Sequence, residues 1–154
     1  MNIPMSRAFT KESPTSAPPP ERMVDGAPNL VTQAGYDQIT AHVTRLEAAL
    51  KSEPNILLRV TLERDLRYWA NRAASAQIVP PPQAGTVAFG SAVTVARGGR
   101  TQSFRIVGVD EGDPTKSLIS FRSPLATAIL GAAEGDIIEA PEPLGEITIL
   151  SAKA

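Results

Sequence analysis

The chain has 154 residues, 42% of them hydrophobic but only 5% aromatic, with a formal net charge of −1 and no cysteine. That length fits one or two small domains. The charge excludes a sequence-wide electrostatic grip on nucleic acid, and the lack of thiols excludes disulfides, zinc–thiolate sites and cysteine nucleophiles. No apolar run reaches the roughly 18 residues of a membrane span, and the N-terminus lacks the apolar stretch of a signal peptide. A soluble cytoplasmic protein is therefore expected.

Residues 1–28 hold six of the fourteen prolines, including Pro18-Pro19-Pro20, with Ser and Thr between them. Such a composition cannot bury a core and predicts a disordered or extended leader. Order is expected from Asn29. Leu30-Val31-Thr32-Gln33 leads into a helix with Thr32 as its N-cap. Tyr36, Ile39, Val43, Leu46 and Leu50 then recur at heptad spacing. Glu53-Pro54-Asn55 interrupts the pattern, because proline removes a donor and restricts the residue before it. A second seam follows in Leu58, Leu62, Leu66, Trp69, Ala73 and Ala76. Two single-striped helices with a short break predict an antiparallel hairpin over 29–79, each arm about 30 Å long. It should lean on the next domain at its open end, with Trp69 as a packing residue there and Tyr68 off the seam.

Pro80-Pro81-Pro82 reads as a stiff linker opening a second domain over 80–154. The period then changes to two. Strands are predicted over Thr86–Phe89, Ala92–Ala96, Ser103–Val109, Ser117–Phe121, Asp136–Glu139 and Glu146–Ser151, with Gly98-Gly99 as a hairpin turn. Ser123 and Pro124 fit the N-cap and first position of a short helix carrying Leu125, Ala126, Ala128, Ile129 and Leu130, closed by Gly131. The fold class is α+β: a helical hairpin followed by a small sheet with one helix.

Little in the chain marks an enzyme. His42 is the only histidine, and it has no Ser, Cys or carboxylate at helical spacing to activate or ligate it. No phosphate-binding loop, dinucleotide fingerprint or nucleophile elbow occurs. Arg45, Lys51, Arg59, Arg64, Arg67 and Arg72 give the hairpin positive charge, interleaved with Glu47, Glu53, Glu63 and Asp65, as on a mixed solvated face.

The order of these pieces resembles the bacterial GreA/GreB transcript-cleavage factors. Leu30 to Tyr36 is similar to the family's entry into its first helix. Arg67-Tyr68 and Gln77-Ile78-Val79 are similar to the close of its second. Gly85-Thr86-Val87-Ala88-Phe89-Gly90, Phe104-Arg105-Ile106-Val107-Gly108, Ser123-Pro124-Leu125-Ala126, Leu130-Gly131 and Gly135-Asp136 resemble successive parts of its C-terminal, FKBP-like domain. The resemblance implies RNA polymerase as partner, with that domain docked at the rim of the secondary channel and the coiled coil inside it. It implies a docking face at Gly108, Asp110, Ser123, Pro124, Leu125 and Ala126, and indirect contact with nascent RNA at Arg59, Arg64 and Arg67. It implies no cofactor, no metal bound by the chain itself, no membrane, and a monomer.

The family's acidic tip helps the polymerase hold a magnesium ion and a water, which needs anionic oxygen ligands. The corresponding turn here is Ser52-Glu53-Pro54-Asn55, with Glu53 as the lone tip carboxylate, and the missing residues shorten both arms. The expectation is a polymerase-binding regulator without efficient cleavage stimulation. The alternatives are a cleavage factor acting through Glu53 and an FKBP-like prolyl isomerase. Those enzymes line their pocket with several aromatics, and this domain has Phe89, Phe104 and Phe121.

Overall fold

Thr32 has an extended backbone, and its hydroxyl accepts from Gly35 N at 2.9 Å. That satisfies one orphan donor of a helix start. Helix α1 (Gln33–Ser52) begins there in the computed structural model, which describes residue 17 and residues 19–154. At the turn, Asn55 Oδ1 accepts from Leu57 N and Leu58 N at 2.9 and 3.1 Å, starting α2 (Ile56–Ser75). Ile39 and Leu46 are buried along the seam of α1, while Leu62, Leu66, Trp69 and Ala73 of α2 are half-buried.

Leu58 departs from the expected seam. It is 52% exposed, beside Ile56 at 74% and Leu57 at 57%. The first turn of α2 meets only the last turn of α1, where Lys51 and Ser52 are themselves exposed. The packed seam therefore starts at Leu62. Ala76 also leaves the helix. It opens β2 (Ala76–Ile78), which pairs in parallel with β1 (Asn29–Val31) in the register Asn29↔Ala76, Leu30↔Gln77, Val31↔Ile78. These two strands tie the ends of the hairpin together. Their backbone groups satisfy one another where the chain turns from helix into linker.

The remaining strands are β3 (Ala92–Arg97), β4 (Arg100–Val107), β5 (Leu118–Ser120), β6 (Ile137–Ala140) and β7 (Gly145–Lys153), in the order β5-β4-β3-β7-β6. The pairs are antiparallel except β4 with β5. Gly98 and Gly99 join β3 to β4 with φ of +61° and +78°, the positive values that a two-residue hairpin turn of this hand requires. Helix α3 (Pro124–Ile129) is capped by Ser123 Oγ, which accepts from Ala126 N at 3.3 Å. It lays Leu125, Ala126 and Ile129 on Val93, Val95, Phe104, Ile106, Ile147 and Ile149, forming an aliphatic core on one face of the sheet. The other face is largely polar along β3 and β7, as half-solvated antiparallel sheets are, while at its β4–β5 end Arg105, Val107 and Leu118 border a crevice shared with the start of α1.

Thr86–Phe89 is not a strand. Thr86 forms a lone bridge with Ala133, Val87 exchanges backbone bonds with Gly131 and Ala132, and Gly90 (φ +91°) turns the chain into β3. Its period of two is genuine, because Val87 and Phe89 are both buried. It arises from a segment laid across the end of the core rather than from pairing in the sheet.

Residues 1–16 and 18 of the expected leader lie outside the described residues. Residues 19–28 have no regular secondary structure, yet they have partners. The Arg22 guanidinium lies 3.8 Å from the centroid of the Tyr68 ring, Glu21 pairs with Arg67, and Asp25 pairs with Arg122 at 2.6 Å. Among the described residues no helix is long and apolar enough to cross a membrane.

Candidate functional site

The polar residues of the chain converge where the hairpin meets the sheet. Asp110 and Glu111 lie on the 3₁₀ turn Val109–Glu111 that follows β4. The Arg72 and Asp110 side chains are 7% and 6% exposed and pair through Arg72 Nε and Asp110 Oδ2 at 2.6 Å. Tyr68 donates its hydroxyl to the other Asp110 oxygen. Arg72 Nη2 also donates to Asn29 Oδ1 at 2.6 Å, and Asn29 Nδ2 returns a bond to Arg72 O at 2.9 Å. A buried charge pair holds only when its remaining donors and acceptors are also satisfied. This one meets that condition, since no buried side-chain polar atom among the described residues lacks a partner. Burial, followed by the hydrogen bond and negative charge of Asp110, pushes the Tyr68 hydroxyl up to about 12.

Glu111 completes the joint from the other side. It is buried, and its carboxylate accepts from Thr32 N, Thr32 Oγ1 and Gly108 N. The helix start and the end of β4 therefore share one acid. The close fit demands glycine at two positions. A Cβ on Gly35 would lie 2.1 Å from Glu111 Cδ, and one on Gly108 would lie 2.5 Å from Leu30 O. His42 stacks on Trp69 with centroids 4.1 Å apart, and its Nδ1 accepts from Arg45 Nη2 at 2.6 Å. Burial, then the charges of Arg45 and Arg22, holds the imidazole below its ordinary range.

These contacts redistribute the residues singled out from the sequence. Gly108 and Asp110 belong to the joint, and Leu125 and Ala126 to the core. Of the expected docking residues, only Pro124 is exposed and Ser123 is half-buried. Arg72 was counted with the surface cations and is instead a buried anchor. Its place between Trp69 and Ala73 of the seam was the available signal. Tyr68, expected off the seam, is half-buried against Asp110. Asn29 and Glu111 left no signal as a pair, being far apart in the chain.

Glu53, at the tip, accepts from Asn55 N at 2.8 Å through Oε1, so its carboxylate closes the turn. Arg59 Nη1 donates to Leu50 O and Glu53 O at 2.7 and 3.1 Å. Arg64 pairs with Asp65, and Arg67 with Glu21. The three arginines expected to face RNA thus have partners within the chain. No group of three or more potential metal-ligating side chains occurs among the described residues, and one carboxylate bound to a backbone amide does not make a magnesium site. Among the described residues, the phenylalanines of the sheet domain do not together line a pocket as in an isomerase. Phe104 is core, and Phe89 and Phe121 meet edge to face at 5.4 Å. A crevice of about 680 Å³ beside the linker, lined by residues such as Ile78, Val79 and Pro80, has no aromatic in its wall.

The domain carrying the sheet has recognisable relatives. Residues 82–153 match the family described as "Transcription elongation factor, GreA/GreB, C-term". Residues 82–153 thus form a GreA/GreB C-terminal domain. The chain is 40% identical over 88 residues to transcription elongation factor GreB of Haemophilus ducreyi, covering 55% of this chain and 54% of that one. It is 38% identical over 106 residues to transcription elongation factor GreA of Lactococcus lactis subsp. cremoris, covering 67% and 65%. The chain therefore spans between about half and two thirds of the length of these relatives. The solved GreA factor homolog 1 of Thermus thermophilus covers 83% of this chain at 19% identity and a TM-score of 0.40, too loose a superposition to bear an argument.

Proposed function

We propose that this chain is a non-enzymatic RNA polymerase-binding elongation factor that docks through its sheet domain and does not efficiently stimulate transcript cleavage. The observation that carries the second half is the tip. Its lone carboxylate, Glu53, accepts from Asn55 N, and the residues that follow it are the exposed Ile56, Leu57 and Leu58. A divalent ion needs several anionic oxygens free to turn toward it, and this tip offers a single carboxylate, one oxygen of which already accepts from Asn55 N. The match of its sheet domain to the GreA/GreB family supports the first half. The docking face would use the exposed residues beside the joint, Val109, Arg122 and Pro124, rather than the buried Leu125 and Ala126.

Binding to purified core polymerase and transcript shortening in stalled complexes, read on the same samples, test both halves. Expected is co-migration with polymerase and no shortened RNA. Absence of binding removes the proposal. Shortened RNA that disappears in Glu53→Ala assigns cleavage to Glu53 instead.

A further inference from the structure

Arg64 and Arg67 of the hairpin pair with carboxylates of the chain, whereas Arg105, Lys116 and Lys153 beside the sheet have no ion-pair partner among the described residues. Phe104 and Ala152 point into the core at 5% and 0% exposure, so strand alternation sends their neighbours Arg105 and Lys153 to the opposite face. There Arg105, Ala92 and Lys153 stand in one row across β4, β3 and β7, a span of about 10 Å. With Lys116 they border a shallow depression of about 390 Å³ whose lining contains no Asp or Glu. None of the three cations has a carboxylate within ion-pair distance among the described residues.

The next row is hydroxylic. Ser103, Thr94 and Ser151 lie side by side, with Ser103 Oγ and Thr94 Oγ1 2.9 Å apart. Ala92, between Arg105 and Lys153, leaves the floor open. Two acids adjoin the patch and keep their charge. Asp113 Oδ1 accepts from Thr115 N and Oγ1, and these bonds, with the nearby Lys116 charge, hold its carboxyl below the ordinary range; Glu134 accepts from Ala152 N. Arg105 gives one N–H to Gly90 O and keeps the other donors of its guanidinium. Toward the far edge, Glu139 and Glu146 stand opposite each other, so an anion is confined to the basic half.

We infer that this face binds the phosphodiester backbone of single-stranded nucleic acid without reading its sequence. Guanidinium, ammonium and hydroxyl donors are the groups that contact phosphate oxygens, and a row of separated cations suits a chain of phosphates better than a single carboxylate. The face exposes no aromatic platform on which bases could stack. Binding is weak and salt-sensitive: three neutralised phosphates give a slope of about −2 in log K against log salt.

The test is fluorescence anisotropy of the full chain with a short labelled oligouridylate, between about 50 and 200 mM salt, with no polymerase present. A failure here therefore says nothing against polymerase docking. Expected is binding with that slope, weakened about tenfold or more in Lys116→Glu/Lys153→Glu, retained in Lys116→Arg/Lys153→Arg and unchanged in Arg64→Gln/Arg67→Gln. Both lysines are exposed and without ion-pair partners among the described residues, so the charge reversal leaves the fold intact, which circular dichroism checks. The inference is overturned by no binding at the lower salt, by equal binding of the Lys→Glu variant, by loss in the hairpin variant, or by a polyglutamate peptide binding as tightly as the RNA.

Discussion

Tyr68 shows how one side chain can report on the joint. Its hydroxyl is part-buried and donates to Asp110, so ionising it would put two negative charges face to face. The folded state therefore holds the proton up to about 12, against 10.0 for the free group. For a group whose value is raised on folding, the stabilisation is complete below the unfolded value and fades as pH climbs through the folded one. Stability from this contact is thus constant at neutral pH and is lost between about pH 10 and 12. Ultraviolet titration of the phenols should show a tyrosine ionising late in that window, and Tyr68→Phe should remove the late phase. Persistence of that phase in the variant would mean that Asp110 does not hold the proton. Glu111 follows a related logic with a larger cost. Truncating it would strand the buried Gly108 N and the Thr32 groups, at about 1–3 kcal/mol for each unsatisfied donor.

At the scale of elements, the hairpin divides into a packed shaft and an unpacked end. Asn55 caps α2 with two backbone bonds, so Asn55→Ala should cost about 1 kcal/mol. Leu57 is 57% exposed, and Leu57→Ser should change stability by less than about 0.5 kcal/mol. Urea melts of both variants check this pair. An equal loss in the two would mean that Leu57 is packed rather than exposed. Much of this element was readable beforehand. Thr32, Pro54 and Asn55 are local signals that act within a few residues, and Ile39 and Leu46 are marked by heptad spacing. The parallel pair β1 and β2 was not readable, since strands of three residues leave no periodicity and their partners are separated by the whole hairpin. Thr86–Phe89 misled for the opposite reason: its alternation reports burial, and burial does not require a sheet. The site was legible in part. Gly35 and Gly108 fell within the family-like segments, but nothing local marks Asn29, Arg72 and Glu111 as neighbours, because their association is made only by the fold.

For the whole molecule, the Arg72–Asp110 pair fastens hairpin to sheet, and removing one partner leaves a buried, unmatched charge. Asp110→Ala should therefore cost about 3–5 kcal/mol and separate a single melting transition into two, with the hairpin lost first. Calorimetry distinguishes this from an undivided, merely lowered transition, which would mean that the remaining contacts suffice to couple the parts. The described part of the leader adds to the same assembly through Arg22 over Tyr68 and Asp25 on Arg122. The pairing of β1 with β2 has a different kind of consequence. It fixes the two ends of the arm about 4.8 Å apart, whatever lies between them. Matched insertions of two turns in α1 and α2 would move the tip outward by about 10 Å and leave the base unchanged. Reach is thus a separable trait of this architecture, open to change by lineage or by design without refolding anything that holds the arm.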